Sequence, residues 1–275
     1  MTRGGVSEFP DYRDENRRIW EKNANWWDDQ IGDGNAFQTL LIEPATEKLL
    51  QPSPGDRVLD VACGAGRFTR RRAALGANVV AFDASSSFID RARQRTPDGT
   101  AIEYRVADAC DRDAIQALGR FDKAVCTMAL MDMPEIAPLL ETLTSVLKPQ
   151  GSFVFSVTHP CFHSAAMQRF AEIAERDSGH HVVRTGVKIH AYLTSSARKT
   201  EGIVGQPEPQ YFFHRPLATL LRGCFEAGFV MDGIEEPGLP AAGEPHAGVR
   251  WTDMPDIPPI LVVRMKLPAR TPPAR

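Results

Sequence analysis

The residues best suited to gripping a ligand lie in the run Val58-Leu59-Asp60-Val61-Ala62-Cys63-Gly64-Ala65-Gly66-Arg67-Phe68-Thr69. An apolar segment stops at two glycines, and a helix-forming segment follows. Glycine lets a ligand approach the backbone closely, and the free amides of a helix N-terminus favour an anionic group. Alone, a Gly-x-Gly specifies no more than a nucleotide-like ligand. The dinucleotide fingerprint would place a third glycine where Thr69 stands. Asp60 precedes Gly64 by four residues, and a carboxylate is unfavourable beside a pyrophosphate but favourable beside a cation. The ligand suggested is therefore adenosine-like and cationic. Asp83, seventeen residues past Gly66, ends the next predicted strand, where its carboxylate can accept from both hydroxyls of a ribose.

A second group of candidates lies further along. His159-Pro160-Cys161-Phe162-His163 follows the fifth predicted strand, at the carboxyl edge where ligands bind in open α/β sheets. The alternation of His159, Cys161 and His163 matches no closed zinc set, so no metal is expected. His159 is read as a general base or a hydrogen-bond donor to the substrate, against the alternative of a satisfied structural histidine. His163 is a substrate-contact candidate. Tyr211 and His214, in QYFFHRP, either face the same cavity or pack as framework before Pro216. Asp132, in MALMDMP, either caps a helix ahead of Pro134 or contacts substrate. Trp27 shares a helix face with Asn16, Trp20 and Asn23. That face is either packing against the sheet or a lid whose aromatic rings attract a cation. Arg67, Arg70, Arg71 and Arg72 read as a solvated face from which one arginine can reach a carboxylate. As a nucleic-acid patch the run is short and lacks interleaved aromatics.

The elements that must position these residues follow from the pattern. Segments 57–62, 78–82, 102–107, 121–127 and 152–157 read as strands, with helices over 67–75, 85–95 and 134–147 between them. Strands alternating with helices of this length mean βαβ units and a parallel sheet. Residues 12–30 and 36–50 predict two helices upstream. After Val157 the rhythm breaks. Met167, Phe170, Ala171 and Ala174 predict a short amphipathic helix, and alternation over 182–193 predicts antiparallel strands. Regular α/β resumes with a helix over 216–227 and strands over 229–235 and 260–267. The expected organisation is an N-terminal helical cap (1–50) and an α/β domain (51–275) carrying an inserted cap (159–210). A proline-rich tail runs from Pro268 to Arg275.

Composition is that of an ordinary globular protein. The 275 residues hold 43% hydrophobic and 24% charged residues, and 32 basic against 35 acidic side chains leave a net charge of −3. That balance offers no basic field for nucleic acid or an anionic membrane surface. No run approaches the roughly 20 apolar residues of a membrane span, and MTRGGVSEFPDYRDENRR lacks the apolar core of a secretory signal. A cytoplasmic protein is expected. The five cysteines, Cys63, Cys110, Cys126, Cys161 and Cys224, form no CxxC pair and read as small core residues. Oligomeric state leaves no mark in the sequence.

LDVACGAGRFT, the strand-end Asp83, VADA at 106–109, FDKAVCTMALMDM at 121–133 and LKPQGSFVFSV at 147–157 together resemble the ordered motifs of class I S-adenosylmethionine-dependent methyltransferases. More narrowly, they resemble the bacterial small-molecule branch. The resemblance covers about residues 55–160, and FEAGF at 225–229 with LVVRMKL at 261–267 fits the closing strands. It implies a Rossmann-like, seven-stranded, mostly parallel sheet flanked by helices, with the last strand antiparallel. It also implies S-adenosyl-L-methionine as cofactor, S-adenosyl-L-homocysteine as product, and a small-molecule acceptor methylated at O, N, S or C by in-line displacement. Gly64 and Gly66, beside Ala62, would pass beneath the methionine moiety, with Asp60 near its ammonium. Asp83, followed by Ala84, would hold the ribose, and Asp108 with Ala109 the adenine amine. Thr127 and Met128 would lie near the sulfonium, with Trp27 over the cofactor. Gln150 departs from the commonest pattern, which has a second glycine in that turn. Two other readings share the strand–glycine–helix start: an NAD(P)-linked oxidoreductase, and a non-catalytic protein that binds the cofactor without turnover.

Overall fold

The computed structural model describes residues 9–164, 167–175, 181–241 and 248–269. In chain order the helices are α1 (Arg13–Ile31), α2 (Glu43–Leu50), α3 (Arg67–Ala74), α4 (Ser86–Gln94), α5 (Arg112–Ala117), α6 (Ala137–Val146) and α7 (Leu217–Glu226). The first strands are β1 (Arg57–Val61), β2 (Asn78–Asp83), β3 (Ile102–Val106), β4 (Phe121–Thr127) and β5 (Leu147–Thr158). Next come β6 (Gln168–Glu175), β7 (His181–Lys188), β8 (Ser196–Thr200) and β9 (Gln210–His214). The last are β10 (Val230–Glu235) and β11 (Ile260–Lys266).

The main sheet has seven strands in the order β10-β11-β5-β4-β1-β2-β3, and β11 pairs antiparallel with both neighbours. The other pairs are parallel, with Asp60 of β1 opposite Ala81 of β2 on one side and Val125 of β4 on the other. The strand order reverses at β1, so its carboxyl end opens onto the crevice where such sheets bind ligands. This is the sheet the motifs implied.

Buried apolar runs fill both faces. Leu59, Val61, Phe82, Phe153 and Phe155 pack on one side with Leu139, Leu140 and Leu143 of α6. Val58, Val79, Val125, Val154 and Val262 pack on the other with Leu49 and Leu50 of α2 and Ile89 of α4. Strands buried on both faces read as continuous apolar runs, which is why they were legible. Residues 37–50, expected in the cap, instead form a π-helical turn (Phe37–Ile42) and α2, and they belong to this second layer. Only α1 stands away from the sheet as a cap.

Two local expectations need correction. The stretch around Met167, Phe170 and Ala171 is not a helix but strand β6, paired antiparallel with β7. Phe170 lies against the backbone of Gly186 across the pair, where a Cβ would come within 2.8 Å of the ring, and Lys188 sits 4.8 Å above it. The apolar contacts therefore run between strands. The helix expected from Pro134 begins only at Ala137, because 130–132 form a 3-10 turn first. Helix α5, capped by the Asp111 side chain on the Ala114 amide, lies in a stretch that carried no sequence expectation. Residues 270–275 of the proline-rich tail lie outside the described residues.

Candidate functional site

A cavity of about 820 Å³ opens at the carboxyl edge of β1, β2 and β4, beneath α1. Its floor is the glycine turn. Gly64 has φ +53 and its virtual Cβ meets nothing nearer than Phe88 at 4.0 Å, so the turn is left-handed and open on the cavity side. Gly66 has a different reason to be glycine. Its φ is +73, and a Cβ there would lie 2.5 Å from the Tyr104 hydroxyl and 3.0 Å from Ala92. Gly66 therefore serves the packing of α3 against β3 and α4, and it does not line the cavity.

Asp83 ties the turn to the next strand. One carboxylate oxygen accepts from the Gly64 amide and the other from the Ser85 amide, both at 2.9 Å. A carboxylate has about four acceptor positions, so two remain for a ligand in the cavity that Asp83 lines. Burial pushes its pKa up to about 6, against the pull of the two amides.

Asp60 is placed elsewhere than the motif implied. It is buried behind the turn, accepts from the Thr69 hydroxyl at 2.7 Å, and does not line the cavity. Its charged neighbour is Arg72, also fully buried, whose Nη2 donates to the Thr127 hydroxyl at 3.2 Å. Burial raises the Asp60 pKa, opposed by Arg72 and Thr69, and lowers that of Arg72, opposed by Asp60. The pair is thus an internal brace running from α3 to the ends of β1 and β4. Arg72 was not singled out among the arginines of α3. The available signal was its i,i+3 spacing from Thr69, which puts both on the sheet-facing stripe.

Further along the edge, Thr127, Met128, Ala62, Ala84, Asp108 and Ala109 all line the cavity. Ala62 (φ 52) and Met128 (φ 54) are left-handed without being glycine, which concentrates backbone strain at the two strand ends facing the cavity. The Met128 amide is held by both the carbonyl and the hydroxyl of Ser156 at 3.0 Å each. Asp108 accepts from the Cys110 amide at 2.8 Å and lies 3.4 Å from Arg13 of α1.

Helix α1 is the roof. Trp20 and Trp27 line the cavity with ring centroids 5.5 Å apart, and Trp20 lies 6.2 Å from Phe88. Glu21 reaches the start of α4, accepting from the Ser86 hydroxyl at 3.0 Å and the Ser87 hydroxyl at 2.6 Å. The insertion holds the other side of α1, where Glu208 accepts from Arg18 at 2.7 Å and Lys22 at 3.2 Å.

The second group of candidates divides. His159 is buried outside the cavity lining and both ring nitrogens are engaged, Nδ1 accepting from the Cys161 amide at 3.1 Å and Nε2 meeting Glu236 at 2.7 Å. No lone pair is left for a substrate proton, so the general-base reading of His159 is withdrawn. Tyr211 donates its hydroxyl to Glu15 at 2.6 Å and stacks with Phe213, away from the cavity. His214 bonds the Tyr192 carbonyl at 2.7 Å and is likewise framework. Both substrate-contact readings are therefore corrected to packing, because their polar atoms are spent on the protein. His163 and Asp132 do line the cavity. Asp132 ends the 3-10 turn rather than capping a helix, since the residue before α6 is Ile136. Its backbone carbonyl accepts from Asn16 at 2.9 Å, and burial holds its carboxyl well above the usual range, opposed by a hydrogen bond from Gln210. Gln210, which also lines the cavity, went unnoticed because nothing in its spacing marks it. Among the described residues, no helix is long and apolar enough to cross a membrane, and no group of three His, Cys, Asp or Glu is placed to hold a metal ion.

Residues 58–151 match a family model described as a methyltransferase domain. A ubiquinone biosynthesis O-methyltransferase of Xanthomonas axonopodis pv. citri is 34% identical over 137 residues, covering 48% of this chain and 55% of that one. The chain thus spans about half the length of the curated relatives it matches. An S-adenosylmethionine-dependent methyltransferase structure from Mesorhizobium loti aligns with TM-score 0.62 at 28% identity, over 85% of this chain and 99% of that one. A putative S-adenosylmethionine-dependent methyltransferase structure from Listeria monocytogenes, at 22% identity and TM-score 0.61 over 81% and 95% of the two chains, shares the fold.

Proposed function

We infer that this chain, a member of the class I S-adenosylmethionine-dependent methyltransferase superfamily, transfers a methyl group from S-adenosyl-L-methionine to an O, N, S or C nucleophile of a small molecule. The observation that carries the reading is one cavity wall joining the open turn at Gly64, the two free acceptor positions of Asp83 and the strained strand end at Met128. The residues present suit such a cofactor. The turn leaves room where a ligand must press on backbone, and the nearest wall offers a carboxylate with spare capacity and an aromatic roof. At about 820 Å³ the cavity sits towards the upper end of the roughly 300–1,000 Å³ of single-ligand pockets, which suits a cofactor together with an acceptor.

When bound, the cofactor supplies a methyl group made electrophilic by a sulfonium. Asp83 would accept from the ribose hydroxyls, and Asp108 with Ala109 would meet the adenine amine. The turn at Ala62 and Gly64 would carry the methionine moiety, with Thr127 and Met128 beside the sulfonium. Trp20 and Trp27 would exclude water and offer π-faces to positive charge. Asp60 and Arg72 would act behind the turn, keeping it in shape. In-line displacement asks chiefly for position and desolvation, so no covalent intermediate with the protein is required. The net charge of −3 fits a small-molecule acceptor rather than nucleic acid.

The direct test is calorimetric titration with S-adenosylmethionine, S-adenosylhomocysteine and NADH, on wild type and Asp83→Ala. Micromolar binding of the first two, weakened at least about tenfold in the variant while its circular dichroism is unchanged, is the expected result. Binding of NADH alone would transfer the site to oxidoreductase chemistry. Cofactor binding with no acceptor turned over in a broad screen would leave a binding protein.

A further inference from the structure

Two residues of the cavity lining, Asp132 and His163, are unlike the rest in their charges. Elsewhere in the lining the buried carboxylates and arginines meet an opposite charge, apart from Asp83, which is held by two amides. Arg13 meets Asp108 at 3.4 Å and Glu135 at 3.8 Å, Arg67 meets Glu43 at 2.8 Å, and Asp28 meets Arg95 at 2.8 Å. Arg17 and Glu201 are exposed to solvent. Asp132 and His163 have no counter-ion among the described residues.

His163 is held in a single tautomer by its surroundings. Nδ1 lies 3.2 Å from the Pro259 carbonyl oxygen, and a carbonyl only accepts, so Nδ1 carries the hydrogen. The ring packs on Trp251 at 4.9 Å, and burial pushes its pKa down to about 4. The imidazole is therefore neutral at pH 7 and Nε2 keeps its lone pair, since the hydrogen bond shown for the ring is the one from Nδ1 to Pro259. His163 lies five residues past the end of β5, the neighbour of β4, and Met128 comes straight after β4. The same cavity is lined by the apolar, polarisable side chains of Met131, Met167, Phe212 and Trp251.

Resting on the methyltransferase reading above, we propose that the methyl acceptor is an uncharged molecule with an O–H or N–H donor on an apolar body, and that Nε2 of His163 receives that donor. An anion would find no cation in the lining there, since Arg169, whose charge reaches His163, lies outside it, and burying an anion unpaired is costly. A cation would find a neutral imidazole and a carboxyl whose ionisation burial disfavours. A neutral hydroxyl or N–H satisfies the one open acceptor, orients its heteroatom beside the methyl-bearing end, and needs no counter-charge. His163 thus takes over, as a group touching the acceptor, the place that His159 cannot fill.

The test uses four probes of one size: phenol, anisole, benzoate and benzylammonium. Each is titrated into the full chain saturated with S-adenosylhomocysteine, with tryptophan fluorescence as readout, since Trp20, Trp27 and Trp251 line the cavity. Phenol should bind saturably and about tenfold more tightly than each of the other three. His163→Phe, which keeps a ring against Trp251, should lose about tenfold in phenol affinity. His163→Gln, which keeps an acceptor, should stay within about threefold of wild type. Both variants should hold S-adenosylhomocysteine as wild type does, which also shows them folded. Benzoate, benzylammonium or anisole binding as well as phenol, no saturable binding of phenol, or His163→Phe behaving as wild type would each overturn the proposal. Failure of wild type to bind S-adenosylhomocysteine would instead remove the methyltransferase reading on which it rests.

Discussion

Two aspartates on adjacent strands, Asp60 and Asp83, carry the same side chain into opposite duties. Asp83 is half-buried on the cavity with a native pKa of about 6, above its ordinary value of 3.8. A carboxyl whose folded-state pKa is raised contributes stability that is fully present below the unfolded value and lost as pH rises through the folded one. Asp83 therefore favours folding least at neutral pH, where the proposed ribose contact needs it ionised. We expect S-adenosylhomocysteine affinity to fall about tenfold between pH 7.5 and pH 5, following that protonation, in a calorimetric pH series. Asp60 is different, because its removal leaves Arg72 charged and buried without its counter-ion. Asp60→Ala should lose about 3–5 kcal/mol in urea denaturation, whereas Asp83→Ala should lose affinity with little change in midpoint. The sequence named both aspartates but assigned both to the ligand. Motif spacing records that an acidic residue stands on a strand, while burial behind the turn depends on Thr69 and Arg72 from the next helix.

At the scale of elements, the two glycines of one turn divide packing from binding. Gly66→Ala forces a methyl group against Tyr104 and Ala92 at positive φ, so it should destabilise by roughly 1–3 kcal/mol. Gly64→Ala meets open space and should cost about 1 kcal/mol through its left-handed backbone, with the larger effect on S-adenosylhomocysteine affinity. Chemical denaturation and calorimetry on the two variants read these outcomes separately. Parallel strands announced themselves because β1, β4 and β5 are buried on both faces. Strand β6 did not, because the spacing of Met167, Phe170 and Ala171 also fits a helical stripe. What decides it is the contact of Phe170 with Gly186, made with a strand that only pairing brings near. His159 misled for a related reason. Its place after β5 was right for a site, but Glu236, which engages its ring, comes from beyond β10, far off in sequence.

Across the whole molecule, α1 is the piece on which access turns. It is held to the α4 side by Glu21 and by Asp28 with Arg91 and Arg95, and to the insertion by Glu208 with Arg18 and Lys22. These contacts are polar and, Asp28 apart, partly exposed, each of the kind worth little alone in water, and the apolar part of the attachment is the small cluster of Ile19 with Tyr211 and Phe213. Such an interface opens at less cost than the apolar layers on the sheet. Hydrogen exchange over 13–31 should therefore be faster than over β1, β4 and β5 in the free protein, and should slow when S-adenosylhomocysteine is added. Glu21→Ala should speed exchange in α1 further while leaving the central strands unchanged.

Glu21 does two things with one carboxylate. It fastens the roof, and it occupies the amino end of α4, three residues after Asp83. A roof that lifts therefore also uncovers the start of that helix and slackens the loop that fixes Asp83. Under the proposed function, entry and grip would therefore be geared, the spent nucleoside losing its handhold in the same movement that clears its way out.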